Sequence, residues 1–410
     1  MSRLPWTALA ALLFASFTVS LAYGIALPVL PFLLERRLGP GADVAWHTGL
    51  LTGIYTLALF LFAPLWGRIS DHRKRRTIIL VGMSGFTASL LLFAFIDSLV
   101  ALYLGRFLTG AFSAAVIPVS LALISDWAPD DDWRARRFAW LTIAGVGGFL
   151  LGPTIGGSVA QMWSAGMPLS GFPFLLAAAA AAFGSAAAWL ALPIAPPPAI
   201  CSGLRQTGRT APELVPTLLL LAAIVSVGIG AFEVGLALRA QQRLGLGPAE
   251  IGLMFTECSL VMVVAQAAVF NRWFPAHATR WLIVPGFAAL ALALVGVPWM
   301  GSAMGLFVAI GLIAASAGIL SPVLSFWVSL AAGKAQGSEL GRQSAASSLG
   351  QAIGSAIGGL LFGLIPNFPD IAFLVAAVGA LVGGVLALRL PKLLAILVPP
   401  AGKARGPLGR

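Results

Sequence analysis

The run Gly67-Arg68-Ile69-Ser70-Asp71-His72-Arg73-Lys74-Arg75-Arg76 lies between two long apolar segments, 47–66 and 77–97. Each segment has the roughly 20 apolar residues needed to cross the hydrocarbon of a bilayer. The run's five cations cannot reside in hydrocarbon, so it predicts a tight turn at a membrane surface. Lys and Arg are retained on the cytoplasmic side, so the run also predicts which surface.

Composition supports a membrane chain throughout. Of the 410 residues, 59% are hydrophobic and 10% charged, and the mean hydropathy is +0.96. A soluble domain carries about 25% charged residues. The net charge of +11 raises nucleic acid as a partner. The cations lie in short predicted loops and form no folded basic face, which argues against it. Cys201 falls in a linker and Cys258 in an apolar segment, so no disulfide framework is expected. Residues 6–34 are too long an apolar stretch for a cleaved signal peptide, and eleven more such stretches follow.

The predicted fold class is all-α and integral to the membrane, with twelve transmembrane helices in two six-helix, pseudo-symmetric halves. The helices are read at 6–34, 47–66, 77–97, 99–126, 138–161, 172–192, 213–238, 249–270, 281–299, 303–330, 343–364 and 370–390. With the N-terminus inside, the inner loops and termini hold 20 of the 25 Lys and Arg residues. The outer loops hold Arg36, Arg37, Arg239 and Arg243, and Arg106 falls inside helix 4. This bias predicts a multi-pass protein of the cytoplasmic (inner) membrane with both termini cytoplasmic. The stretch 193–216, PIAPPPAICSGLRQTGRTAPELVP, reads as a linker between the halves. The expected organisation is a first bundle over 1–192, a cytoplasmic linker over 193–212, a second bundle over 213–390, and a mobile cytoplasmic tail over 391–410.

The halves read as repeats. Gly152-Pro153-Thr154-Ile155-Gly156-Gly157 parallels Gly354-Ser355-Ala356-Ile357-Gly358-Gly359. Arg37-Leu38-Gly39 parallels Arg243-Leu244-Gly245, and Pro118 parallels Pro322. All three offsets are 202 to 206 positions, which implies two similar bundles with a site between them.

With these residues in place, the chain resembles the major facilitator superfamily along its whole length. The basic run is similar to that family's Gly-x-x-x-Asp-Arg-x-Gly-Arg-Arg loop: Gly67, Asp71, Arg75 and Arg76 fit, while His72 and Lys74 depart from it. Arg106-Phe107-Leu108-Thr109-Gly110 resembles the family's helix 4 Arg-x-x-x-Gly. Gly148, Gly152, Pro153, Gly156 and Gly157 match the helix 5 signature associated with drug–proton antiporters. Ala231-Phe232-Glu233 is similar to helix 7 of quinolone-type multidrug exporters, which carry a glutamate there. The second-half loop Asn271–Arg280 lacks the Asp of the pattern.

The chemistry-bearing residues have competing readings. Gly67, Asp71, Arg75 and Asp126 form a candidate inner-gate latch; the alternative is a topology signal alone, which accounts for the arginines but not for Asp71. In the latch reading Asp71 pairs with Arg75 and faces the N-terminus of helix 11, where the helix dipole favours negative charge. Arg106 lies ~10 Å deep at 1.5 Å per residue and either faces a cavity or snorkels to the headgroups. Glu233, at ~8 Å depth, is a candidate proton-coupling acid or a partner in a structural hydrogen bond. Glu257, at ~12 Å, is a second candidate coupling acid, with either it or the Ser259–Met262–Gln266 stripe facing the cavity. The helix 5 glycines permit close approach to a neighbour, and the resemblance implies control of leak and direction. Tyr23, Tyr55, Phe112 and Phe232 are candidate walls of a substrate pocket, or else lipid-facing or core aromatics.

No enzyme constellation, metal cluster or cofactor site is read. His47, His72 and His277 sit in loops or at helix ends, and no Gly-rich phosphate loop is present, which argues against ATP as the drive. The expected function is proton-coupled export of lipophilic, cationic or zwitterionic small molecules by alternating access. The alternatives are export of a dedicated metabolite or siderophore, proton-coupled import, or a membrane-embedded sensor or scaffold. The expected partners are a small-molecule substrate, protons and the lipid bilayer, and the expected state is a monomer.

Overall fold

A computed structural model describes residues 4–39, 42–95, 98–129, 131–164, 171–194, 211–269, 276–332, 336–365, 368 and 370–397. Among the described residues, twelve helical spans are long and apolar enough to cross a membrane, and no strand is present. Spans 1 to 6 are Trp6–Leu38, Asp43–Ser70, Arg75–Phe95, Leu99–Asp126, Arg136–Met162 and Phe172–Ala191. Spans 7 to 12 are Pro212–Gln242, Pro248–Val269, Ala278–Trp299, Met304–Ala331, Glu339–Leu364 and Ile371–Leu393. Most of the stretch read as a linker, 193–212, and most of the tail lie outside the described residues.

Local physics alters several of the expected boundaries. The basic run is not a loop: a helix continues through Gly67–His72, and the next begins at Arg75, leaving only Arg73 and Lys74 to turn the chain. Span 4 is not one helix but two, Leu99–Ser113 and Val116–Asp126. Pro118 sits just inside the second helix; its ring lacks an N–H and crowds the carbonyl of residue 114, where the first helix ends. The start of the tail, read as mobile, is helical over Leu390–Leu397, and Leu390, Leu394 and Leu397 are buried in the second core. Their spacing puts all three on one helix face.

Buried apolar side chains gather in two large clusters, one within Leu4–Leu192 and one within Ala211–Leu397 that also includes Leu27. The end of the bundle where span 1 begins carries Arg73–Arg76 and is called the basic end; the opposite end is the far end. Sequence reading placed Arg239 in a far-end loop. It is instead 6% exposed within span 7 and paired with Asp370, with its Nη2 donating to the Met300 carbonyl at 2.9 Å.

The two halves press together in their far-end thirds. A Cβ on Gly49 of span 2 would fall 2.6 Å from the Ser355 carbonyl oxygen and 2.7 Å from the Gly359 Cα of span 11. Gly157 of span 5 meets the backbone of Pro248, and Gly252 of span 8 meets the backbone of Pro153. Thr154 and Thr256 hydroxyls lie 2.5 Å apart, and Gln241 donates to Glu35 at 2.5 Å. Small residues are what allow such backbone approach between membrane helices.

Candidate functional site

The helix 5 signature has a structural counterpart. Gly148, Gly152 and Gly156 pack on the backbone of span 1, at Phe17, Leu21 and Ile25, while Gly157 turns to the other half. Offset by 202 positions, Gly350, Gly354 and Gly358 pack on span 7, at Ala223, Val227 and Ala231, and Gly359 turns to span 2. Spans 5 and 11 therefore bind their own half tightly and also form the seam between halves. Pro153 lies inside an unbroken helix and its Cδ is against Gly24.

Beside this seam lies a buried polar cluster drawn from spans of both halves. Tyr23 of span 1 donates a hydrogen bond to Glu233 Oε2 of span 7 at 2.7 Å. Gln351 Nε2 of span 11 lies 3.0 Å from the same oxygen and 2.9 Å from the Tyr23 hydroxyl. The rings of Tyr23 and Tyr55 stack at 5.1 Å, and Phe149 of span 5 stacks on Tyr23 at 6.0 Å. Ser113 donates to the Tyr55 hydroxyl at 3.2 Å.

Arg106 of span 4 is turned into the bundle, not out to the headgroups: it is 2% exposed. Its guanidinium carbon lies 4.6 Å from the centre of the Tyr55 ring and 5.9 Å from that of Tyr23. The negative faces of aromatic rings attract a cation at such distances. Its Nε and Nη2 are buried and meet no hydrogen-bond partner among the described residues. Glu233 is 6% exposed, so the cluster holds an acid and a base removed from water within one half-and-half interface.

The structure brings together only some of the residues singled out from sequence. Tyr23, Tyr55, Arg106 and Glu233 form the cluster. Phe232 is 2% exposed in the second core, and Phe112 packs on span 3, where its ring would meet a Cβ on Gly85. Glu257 stands apart. It is half-buried, its Oε1 would lie 3.6 Å from a Cβ on Gly311 of span 10, and its Oε2 meets no partner among the described residues. On span 8 it shares a side with the exposed Leu253, Leu260 and Val264, whereas Ser259 is buried. Of the latch residues, Arg75 and Asp126 pair at 3.2 Å, and Arg75 also donates to Ser70 at 2.6 Å. Gly67 is described, with open space beside it. The Asp71 side chain lies outside the described residues.

Gln351 and Phe149 were missed from sequence. An uncharged amide in a small-residue helix leaves no mark in hydropathy or charge. The repeat offset could have found the pair, because 202 positions separate Phe149 from Gln351 and both touch Tyr23. A cavity of about 330 Å³ opens toward the basic end of the second half, lined by hydroxyls of Ser226, Ser321, Ser325, Ser344 and Ser347 and by Gln343. No group of three or more potential metal ligands occurs among the described residues.

Residues 12–217 match the family model described as Major Facilitator Superfamily. A tetracycline resistance protein, class G, from Vibrio anguillarum is 35% identical over 164 residues, which is 38% of this chain and 41% of the relative. The quinolone resistance protein NorA of Staphylococcus aureus (strain MSSA476) is 27% identical over 272 residues, 64% of this chain and 66% of the relative. The matched stretches thus span less than two thirds of either relative. A crystal structure described as a bacterial homolog of the human lysosomal transporter Spinster, inward-facing and occupied, superposes with a TM-score of 0.78 at 16% identity, covering 96% of this chain and 98% of that one.

Proposed function

The chain belongs to the major facilitator superfamily, and from that premise we propose that it is a secondary transporter that exports small molecules in exchange for protons. The expected substrates are lipophilic and cationic or zwitterionic. Two bundles rock about a central site, exposing it to one face of the membrane at a time. The observation that carries this reading is Glu233, a buried acid held by Tyr23 from the first half and Gln351 from the second. Because its partners come from both halves, any rocking motion must change its surroundings. An acid whose surroundings alternate takes up a proton in one state and releases it in the other. A proton on Glu233 and a cationic group of the substrate compete for one carboxylate, and this competition couples the two flows.

The similarity to tetracycline and quinolone resistance proteins supports export over import. The positive charge of the basic end supports placing that end in the cytoplasm, with both termini. The far-end closure then corresponds to a state shut to the outside, with the inner-membrane site reached from the cytoplasm. Glu233 is the principal coupling acid in this reading. Glu257, whose Oε2 meets no partner among the described residues, has a lesser role. Gly67, Asp71, Arg75 and Asp126 form the inner latch. The test is substrate movement in everted vesicles under an imposed pH gradient: substrate-induced proton release supports antiport, and the absence of release for every substrate that moves contradicts it.

A further inference from the structure

We propose that Arg106 is a receptor for a carboxylate on the transported molecule, so that among lipophilic compounds the site selects zwitterions that carry an acid group; this rests on the export reading above and narrows its substrate class.

A guanidinium buried in a membrane bundle is costly and is ordinarily met by an acid. Here the acid of the cluster, Glu233, has its Oε2 held by Tyr23 and Gln351, and neither Arg106 Nε nor Nη2 is paired with it. Arg106 rests on the faces of Tyr55 and Tyr23, which attract its charge but use none of its N–H groups. The two nitrogens without partners, Nε and Nη2, form one edge of the planar fork. Donors on that edge point in parallel, at the spacing of the two oxygens of a carboxylate, and such paired bonds are among the strongest that a side chain forms. Thr109, the next polar residue on that side of span 4, donates to the Gly105 carbonyl at 2.6 Å, and Ser113 is occupied with Tyr55. Neither supplies an acceptor for the free edge.

Charge balance then sets the rest of the ligand. A plain cation entering beside Arg106 meets uncompensated positive charge in a medium of low dielectric. A plain anion would bind better when Glu233 is protonated, so proton and anion would travel together, the wrong coupling for an exchanger. A zwitterion satisfies both ends: its carboxylate takes the free edge of Arg106 and its cationic group takes Glu233 in place of the proton. The ring of Phe149, only partly buried and at the end of the stack it forms with Tyr23, offers apolar surface to the body of such a molecule.

The matched probes are a rhodamine with a free benzoate, which is zwitterionic, and the methyl ester of the same dye, which is a cation of nearly the same shape. Binding to the purified full-length protein in detergent is read by fluorescence polarisation. The free acid is expected to bind at least about tenfold more tightly than the ester, as one paired charge-assisted contact supplies. In Arg106→Gln the preference should shrink to about twofold or less, through loss of affinity for the acid alone. Equal or tighter binding of the ester by the wild-type protein overturns the proposal, as does a preference that survives in Arg106→Gln. If Arg106→Gln does not fold, the wild-type pair alone decides. Gradient-driven export of the ester at the rate of the acid would sink the carboxylate receptor while leaving the exporter intact. A tenfold preference for the acid with no gradient-driven movement would do the reverse.

Discussion

Glu233 Oε2 accepts from Tyr23 at 2.7 Å and from Gln351 at 3.0 Å, so its two supports can be removed one at a time. Tyr23→Phe deletes the hydroxyl but keeps the ring stack on Tyr55 and Phe149. A hydrogen bond to a charged group is worth about 1.5–3 kcal/mol, so gradient-driven transport should fall by about tenfold or more, while dye binding through the ring changes little. Transport equal to wild type at equal expression would remove Tyr23 from the coupling site. Glu257→Gln should be much milder than Glu233→Gln, because Glu257 shares a side with exposed Leu253 and Leu260; equal losses in parallel efflux assays would show that the two acids act together. Arg239 is a separate case. It is paired with Asp370 in a buried setting, and Arg239→Ala would leave that acid unpaired at a cost of about 3–5 kcal/mol. A thermal-melting midpoint in detergent close to that of wild type would contradict this.

Span 5 is the element on which the seam depends. A leucine at Gly152 would drive its side chain into the Leu21 carbonyl and the Gly24 backbone of span 1, since even a bare Cβ would fall 2.6 Å from the former. Overpacking of this kind costs about 1–3 kcal/mol, and here it also separates the two helices that position Tyr23 and Phe149. Pro153→Ala leaves the helix intact and should be the milder change. If both variants transport at wild-type rates, the glycine row is packing alone. Elements also show how far sequence could be read. The twelve spans were legible because about 20 apolar residues in a row admit few other structures. The glycine parallels were legible because their offset is constant. The break at Ala114–Ala115 was not, although Pro118 was noted, because membrane helices also run unbroken through an internal proline, as span 5 does at Pro153. The fate of the aromatics was also hidden. Phe112 and Tyr55 look alike in hydropathy, and only the rotation of each helix against its neighbours sends one to span 3 and the other to Arg106. Gln351 carried no signal in charge, and Arg239 carried a misleading one, because a cation near a span end reads as a loop until its buried acid partner is known.

At the scale of the molecule, two bundles meet through spans 2 and 11 and through spans 5 and 8 at the far end, and the polar cluster sits across that interface. Alternating access requires these seams to part while the basic end closes. Any state in which they part separates Tyr23 from Gln351, since the two lie in different halves, and Glu233 then loses at least one support. On this reading the change at Glu233 links the proton to the substrate. This link is tested most directly by Glu233→Gln in everted vesicles, with movement of quinolone, tetracycline and rhodamine compounds followed with and without an imposed pH gradient. Glutamine keeps the shape and the hydrogen-bonding oxygen but cannot titrate. The wild-type protein is expected to concentrate at least one of these compounds in response to the gradient, whereas Glu233→Gln permits only downhill movement of that compound. A Glu233→Gln protein that still concentrates it when the gradient is imposed would place the coupling of proton to substrate at another residue.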